Sequence, residues 1–304
     1  MAAPIAHASG RESGLDVGSG FAELLARWRS GGSASPPLVM GIVNVTPDSF
    51  SDGGLFLAAE AAVAQGELLA GEGAVLLDIG GESTRKDAIP VGTEEELRRV
   101  LPVIEWLSHT RALISIDTMK PAVAEAGLKA GATIVNDIRG LQGDPDMAPL
   151  VARFGAGVIV MHNPGVFGSS EPLDGDPIEV CLAYFKKSIG IARRAGIPED
   201  RIVLDPGFGF GKSPEQNLEL LARFSELRQL GFPLLAGTSR KSFIGRVIGR
   251  EAPDRLIGTL ATNVVAALAG AAIIRVHDVA GHIEAMRMVA AISAARPNVE
   301  MPSP

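Results

Sequence analysis

From Leu38 onward, short runs of apolar and β-branched residues alternate with longer stretches in which apolar positions recur every three or four residues. The first pattern reads as buried strands and the second as amphipathic helices. Eight strands are expected: LVMGIVNV from Leu38, AVLLDIG from Ala74, ALISID from Ala112, ATIVND from Ala132, GVIVMH from Gly157, RIVLD from Arg201, PLLAGTS from Pro233 and AIIRVH from Ala272. Between them, TEEELRRVLPVIEWLS, PIEVCLAYFKKSIGIARRAG and NLELLARFSELRQLG carry helical spacing, and Thr93 followed by Glu96 has the spacing of a capping box. Strands this uniformly apolar must be covered on both faces. Eight strand-helix units in about 250 residues fit an α/β fold of the (β/α)8 TIM barrel type, although the order of elements alone leaves an open doubly wound sheet as the competitor.

Residues 1–36 read as a flexible lead-in without the continuous apolar core of a signal peptide, with FAELLARWR as one short helix. Residues 37–304 read as a single barrel domain, and no apolar run is long enough to cross a bilayer. The chain has 304 residues, 46% of them apolar, a net charge of -7 and a pI near 5.3. That balance argues against nucleic acid or an anionic membrane as partner, so an anionic ligand must be met by a few local cations. The single cysteine, Cys181, rules out an intramolecular disulfide and suits a cytoplasmic location. The five histidines form no HxxxH or HExxH pair, which makes a zinc enzyme a poor expectation.

In either architecture ligands sit at the carboxyl ends of the strands. Those ends read Asn44; Asp78 with GGESTR; Asp117; Asn136 and Asp137; His162 and Asn163; Asp205; Ser239, Arg240 and Lys241; and Arg275, His277 and Asp278. One Asp after a strand usually serves a turn or a helix cap. Polar groups ending all eight strands converge on one mouth, which favours a polar pocket. Asp117, Asn136, Asp205 and Lys241 suit the hydrogen-bonding edge of a flat heterocycle such as a pterin or guanine. Arg275 and His277, two apart on one strand and next to Asn44 on the first, form an anion clamp for a diphosphate. Asn44 would offer an oxygen to Mg2+. The alternative for Arg275 is a strand-end arginine paired to a nearby acid. LDPGFGFGKS ends like a Walker A motif at Gly211, Lys212 and Ser213, but Pro206 replaces its first glycine. Its glycines instead let the backbone approach a flat ligand, with Phe210 covering the ring.

Taken together, NVTPDSFSDGG, DIGGESTR, SIDT, VNDI, VMH, LDPGFGFGK, GTSRKSF and RVHDV, in that order between Leu38 and Ala295, resemble the dihydropteroate synthase family. The resemblance implies a (β/α)8 barrel that condenses 6-hydroxymethyl-7,8-dihydropterin diphosphate with p-aminobenzoate. It implies that Asp117, Asn136, Asp205 and Lys241 hold the pterin, and that Asn44, Arg275 and His277 hold the diphosphate with Mg2+. Thr84, Arg85 and Ser242 would shape the aminobenzoate site, with Phe50 and Asp52 in the loop after the first strand. A cytoplasmic homodimer and inhibition by sulfonamides are also implied. The chain departs from the family pattern after GESTR, where Lys86 and Asp87 stand in place of Pro and Gly. A stiff loop thereby becomes a freer, more polar one. The rival readings are a pterin-binding methyltransferase and a non-catalytic pterin-binding paralogue.

Overall fold

The computed structural model describes residues 16–32, 35–45, 52–83, 89–164 and 173–295, and the side chains of residues 52–57 lie outside that description. All eight expected strands form: β1 (Leu38–Asn44), β2 (Leu76–Gly80), β3 (Leu113–Asp117), β4 (Ile134–Asp137), β5 (Gly157–Met161), β6 (Ile202–Asp205), β7 (Leu235–Ala236) and β8 (Ile273–Val276). They run parallel in the order β6-β5-β4-β3-β2-β1-β8-β7. The remaining seam closes through a bridge between Leu204 and Leu234, where the Leu204 N–H donates to the Pro233 carbonyl at 3.0 Å. The result is a (β/α)8 TIM barrel.

The helices are α1 (Ser19–Ser30), α2 (Asp52–Gly71), α3 (Thr93–Leu107), α4 (Pro121–Ala130), α5 (Met147–Phe154), α6 (Pro177–Ala195), α7 (Pro214–Ala222), α8 (Ser242–Ile248), α9 (Leu256–Leu268) and α10 (Val279–Ala294). Local chemistry starts and stops several of them. Asp176 accepts from the N–H groups of Ile178 and Glu179 to cap α6, Pro177 supplies its preset φ, and Gly196 ends the helix in the left-handed region. A reciprocal capping box opens α7, between Ser213 and Gln216.

Thr93 and Glu96 do not form a capping box: Thr93 lies inside α3, Gly92 precedes it, and no side chain caps the helix. The Glu96 carboxylate is buried and pairs with the Lys120 ammonium at 2.5 Å, an interaction worth more to a buried acid than one backbone N–H. The helix expected in FAELLARWR forms as α1, but it is packed against the barrel rather than carried in a flexible lead-in. Phe21 and Leu25, one turn apart on α1, are buried at the foot of the barrel with Met40, Leu76, Ile134, Ile159, Val203, Leu235 and Ile273. The apolar stripe of FAELLARWR thus plugs the end of the barrel opposite the strand carboxyl ends.

The interior is layered. Met40, Leu76, Ile134, Val203 and Ile273 fill the lower barrel. Side chains alternate along a strand, so the residues two positions further on point the same way. Those residues include Asp78, Asn136, Asp205 and Arg275. Above an apolar floor the barrel therefore becomes polar and charged. No helix among the described residues is long and apolar enough to cross a membrane.

Candidate active site

Arg275 is the centre of the polar layer. Its Nε donates to Asp78 Oδ2 at 2.6 Å and its terminal nitrogen to Asp117 Oδ2 at 2.9 Å. Asp78 accepts two further bonds, from Ser115 Oγ at 2.6 Å and from Asn136 Nδ2 at 2.9 Å. The division drawn from sequence, with Asp117 in the ring-binding set and Arg275 in the anion clamp, is thus too clean. The two side chains are ion-paired because they share one inner layer, and the arginine is paired to acids as the alternative reading held. Asn136 commits its amide nitrogen to Asp78, which leaves its oxygen buried and without a partner.

The low-polarity surroundings shift the titrations. Burial, reinforced by the neighbouring Asp78 charge and opposed by Arg275, pushes the Asp117 carboxyl up to about 8. Burial also raises Asp205, with Lys241 pulling the other way. The Lys241 ammonium is pushed down to about 7 by burial, against the attraction of Asp205. Its Nζ donates to the Phe208 carbonyl and lies 4.5 Å above the Phe210 ring. Asp205 Oδ1 accepts the Gly207 N–H at 2.8 Å. Arg275 and Lys241 both feel the Asp205 charge, so the residues of the two expected subsites face one interior.

The loops that carry these groups are held by side chains beneath them. Lys212 is the end of the Walker-like sequence, but it is buried and turned into its own loop. It donates to the Gly207 and Phe210 carbonyls at 2.9 and 3.1 Å, and lies 3.0 Å from His162 Nδ1. Burial and this ammonium push His162 down to about 2, so the imidazole is neutral. Gly207 has φ +65°, and a Cβ there would sit 2.2 Å from the His162 carbonyl oxygen, so only glycine fits the turn. Ser239 Oγ lies 2.9 Å from His277 Nδ1 and accepts the His277 backbone N–H at 3.2 Å, which fixes the ring's orientation. Arg240, with φ 56°, makes a two-pronged pair with Asp278 at 2.5 and 3.1 Å. Asp137 accepts from the Arg139 and Leu141 N–H groups and is a turn residue. Cys181 is buried in α6, its thiol pushed up to about 11 by burial.

Asn44 ends β1 and is exposed. Its strand pairs with β8 through Met40 and Arg275, which sets the amide further along toward the mouth. Ser242 is exposed at the first position of α8, directly after Lys241. Phe50, Thr84, Arg85, Lys86 and Asp87 lie outside the described residues, as does the side chain of Asp52. Among the described residues no three His, Cys, Asp or Glu side chains are grouped to hold a metal ion.

The sequence pattern of the family described as pterin binding enzyme matches residues 40–277. A dihydropteroate synthase of Escherichia coli (strain K12) is 46% identical over 268 residues, which cover 87% of this chain and 94% of that one. The chain belongs to the dihydropteroate synthase family. The solved structure of the Xanthomonas albilineans dihydropteroate synthase with 4-aminobenzoic acid matches with a TM-score of 0.81 and 48% identity, covering 87% of this chain and 95% of that one. The same organism's dihydropteroate synthase in complex with 7,8-dihydropteroate gives a TM-score of 0.78 at 45% identity, with coverage of 87% and 96%. As a dihydropteroate synthase the chain is a transferase. The sequence names Asp78, Ser239 and Asp278 among the strand ends but assigns none of them a role; in the structure Asp78 pairs with Arg275, Ser239 contacts His277 and Asp278 holds Arg240. The signal for Asp78 was its place two residues after the inward-facing Leu76.

Proposed function

We infer that the barrel mouth condenses 6-hydroxymethyl-7,8-dihydropterin diphosphate with p-aminobenzoate to give 7,8-dihydropteroate and diphosphate. The amine nitrogen bonds to the methylene carbon, the C–O bond to diphosphate breaks, and the amine loses a proton. The observation that carries this reading is the orphaned Asn136 oxygen, on the strand position paired with Asp117, in the polar layer that also holds Asp205 and Lys241. A buried acceptor without a donor costs roughly 1–3 kcal/mol, and a ring N–H would restore the bond. Lys241 offers a donor to the ring carbonyl, and the carboxyl oxygens of Asp117 and Asp205 accept from its amino and N–H groups. A ligand lacking those donors leaves the acids unsatisfied, which makes the pocket selective.

Arg275 and His277 would meet the charge that develops on the departing diphosphate, a role in which losing one donor costs on the order of 100-fold to 1,000-fold in rate. The donor set fits Mg2+: this ion keeps much of its water and takes one or two protein oxygens together with substrate phosphates, and Asn44 is an exposed amide beside the clamp strand. When bound, Mg2+ would supply charge neutralisation at the diphosphate. The aminobenzoate would lie toward Phe50, Thr84, Arg85 and Ser242. The chain would act in the cytoplasm as a homodimer, with a second copy covering the exposed apolar residues of α9 and α10.

The test is release of diphosphate by the purified chain. Release that requires both substrates and Mg2+ is the expected result. Methyl transfer from methyltetrahydrofolate, or pterin binding without release, would establish one of the rival activities instead.

A further inference from the structure

The turn between β6 and α7 is shared by two lysines, and its carbonyls are divided between them. The Gly207 and Phe210 carbonyls accept from Lys212 Nζ at 2.9 and 3.1 Å, whereas the Phe208 carbonyl accepts from Lys241 Nζ. Gly207, Gly209 and Gly211 have φ of 65°, 79° and 55°, so the turn follows a path that glycine takes without strain. Lys212 Nζ also donates to His162 Nδ1 at 3.0 Å, and all three ammonium donors are therefore used. The three partners are neutral, so hydrogen bonds rather than an ion pair hold this buried charge. Burial pushes the Lys212 ammonium down to about 8, and at pH 7 it keeps the proton that three bonds require. The rest of the turn is tied to its neighbours. The Gly207 N–H donates to Asp205 Oδ1 at 2.8 Å, and the Gly209 N–H to Asn217 Oδ1 on α7 at 2.6 Å. Gly209 backs the Lys241 stem, since a Cβ there would come 3.0 Å from Lys241 Cδ.

We propose that Lys212 is a positioning residue for the pterin ring. By fixing the Gly207 and Phe210 carbonyls it sets where the Phe208 carbonyl, the Gly209 backbone and the Phe210 ring stand, and Lys241 rests against all three. The inference rests on the synthase reading above and deepens it. Lys212 touches no substrate in this account. It acts through Lys241 and Phe210, so its loss weakens the hold on the ring. Arg275 is held by Asp78 and Asp117 on other strands, so the group that meets the departing diphosphate stays in place.

Steady-state kinetics on the full chain at pH 7 test this, varying the pterin diphosphate at saturating p-aminobenzoate and Mg2+. Lys212→Met removes the ties at similar side-chain length but leaves His162 Nδ1 buried without a donor. The double variant Lys212→Met with His162→Phe keeps a ring against Tyr184 and removes that unpaired nitrogen, which guards the fold. The expected result in both variants is a KM for the pterin diphosphate raised about tenfold, with kcat within about threefold of the parent. A lysine that served the fold alone would lower the denaturant midpoint and leave that KM where it is. That outcome, a fall in kcat at unchanged KM, or unfolding of both variants would overturn the proposal. Failure of the unmodified chain to condense the two substrates at all would instead overturn the synthase reading.

Discussion

Asp78 shows how one side chain sets the electrostatics of the mouth. Fully buried, it accepts from Ser115, Asn136 and Arg275, groups on three other strands. Asp78→Asn would turn an amide donor toward donors and leave Arg275 with Asp117 as its one carboxylate partner. Breaking a buried pair in this way costs about 3–5 kcal/mol, read as a fall in denaturant midpoint. The cost should also depend on pH. In the parent chain the folded state keeps the Asp117 proton that the unfolded state loses between 3.8 and about 8, so stability falls as pH rises through that window. Removing the Asp78 charge lowers Asp117 and relieves part of that fall, so the penalty should be larger near pH 5 than near pH 8. A penalty that grows with pH would contradict this coupling. Asp117, Asn136 and Asp205 were legible in the sequence because each closes an apolar strand. Asp137 closes one too, and only counting by twos from Ile134 separates the inward Asn136 from the outward Asp137. Asp78 was harder to read because the arginine that balances it lies 197 positions away.

At the scale of elements, strand and helix positions followed from periodicity, and docking did not. The FAELLARWR stripe announces a helix, yet nothing local says that it fills the foot of a barrel. Phe21 lies against β5, where a Cβ on Gly157 would come within 2.3 Å of its ring. The glycine in the strand and the aromatic on α1 therefore belong to one joint. Phe21→Ala should lower stability by about 3–5 kcal/mol, the range for removing a buried aromatic, measured by chemical denaturation. Because α1 sits at the end away from the strand carboxyl ends, both KM values should stay unchanged. A loss under about 1 kcal/mol would show that α1 rests on the barrel without contributing to it. Thr93 and Glu96 mark the opposite failure. Their spacing is that of a cap, and a cation from another element, Lys120, claimed the acid first.

At the scale of the whole molecule, the outer side of α9 and α10 is rich in exposed apolar residues. On α9, Ile257, Val265 and Leu268 are 75%, 45% and 49% exposed, and on the neighbouring α10, Met288 and Ile292 are 61% and 50% exposed. Buried residues of the same helices, Thr259, Asn263, His282 and Met286, face the barrel, so this stripe is the helices' outer surface rather than a misplaced core. Val247 and Ile248 on α8 extend the exposed apolar surface. Exposed apolar surface of this kind marks an interaction site, and a self-complementary contact between two copies is the commonest arrangement that buries one. The inner side of these helices is joined to the site. Thr238 donates to Asn263 on α9, Asn263 contacts His282 on α10, and His282 lies 2.6 Å from the Asp278 carbonyl. Thr238 immediately precedes Ser239, which orients His277, and Asp278 holds Arg240. Association would therefore press on the helices that brace the clamp end of the mouth. Val265→Glu places a charge at the middle of the α9 stripe while leaving that bracing network intact. Light scattering at micromolar concentration should give the mass of two chains for the parent and of one chain for the variant. The monomer should lose kcat, because the bracing of Ser239 and Asp278 runs through the helices that the partner covers. A parent that scatters as a single chain would remove the dimer, and with it the reason for the patch.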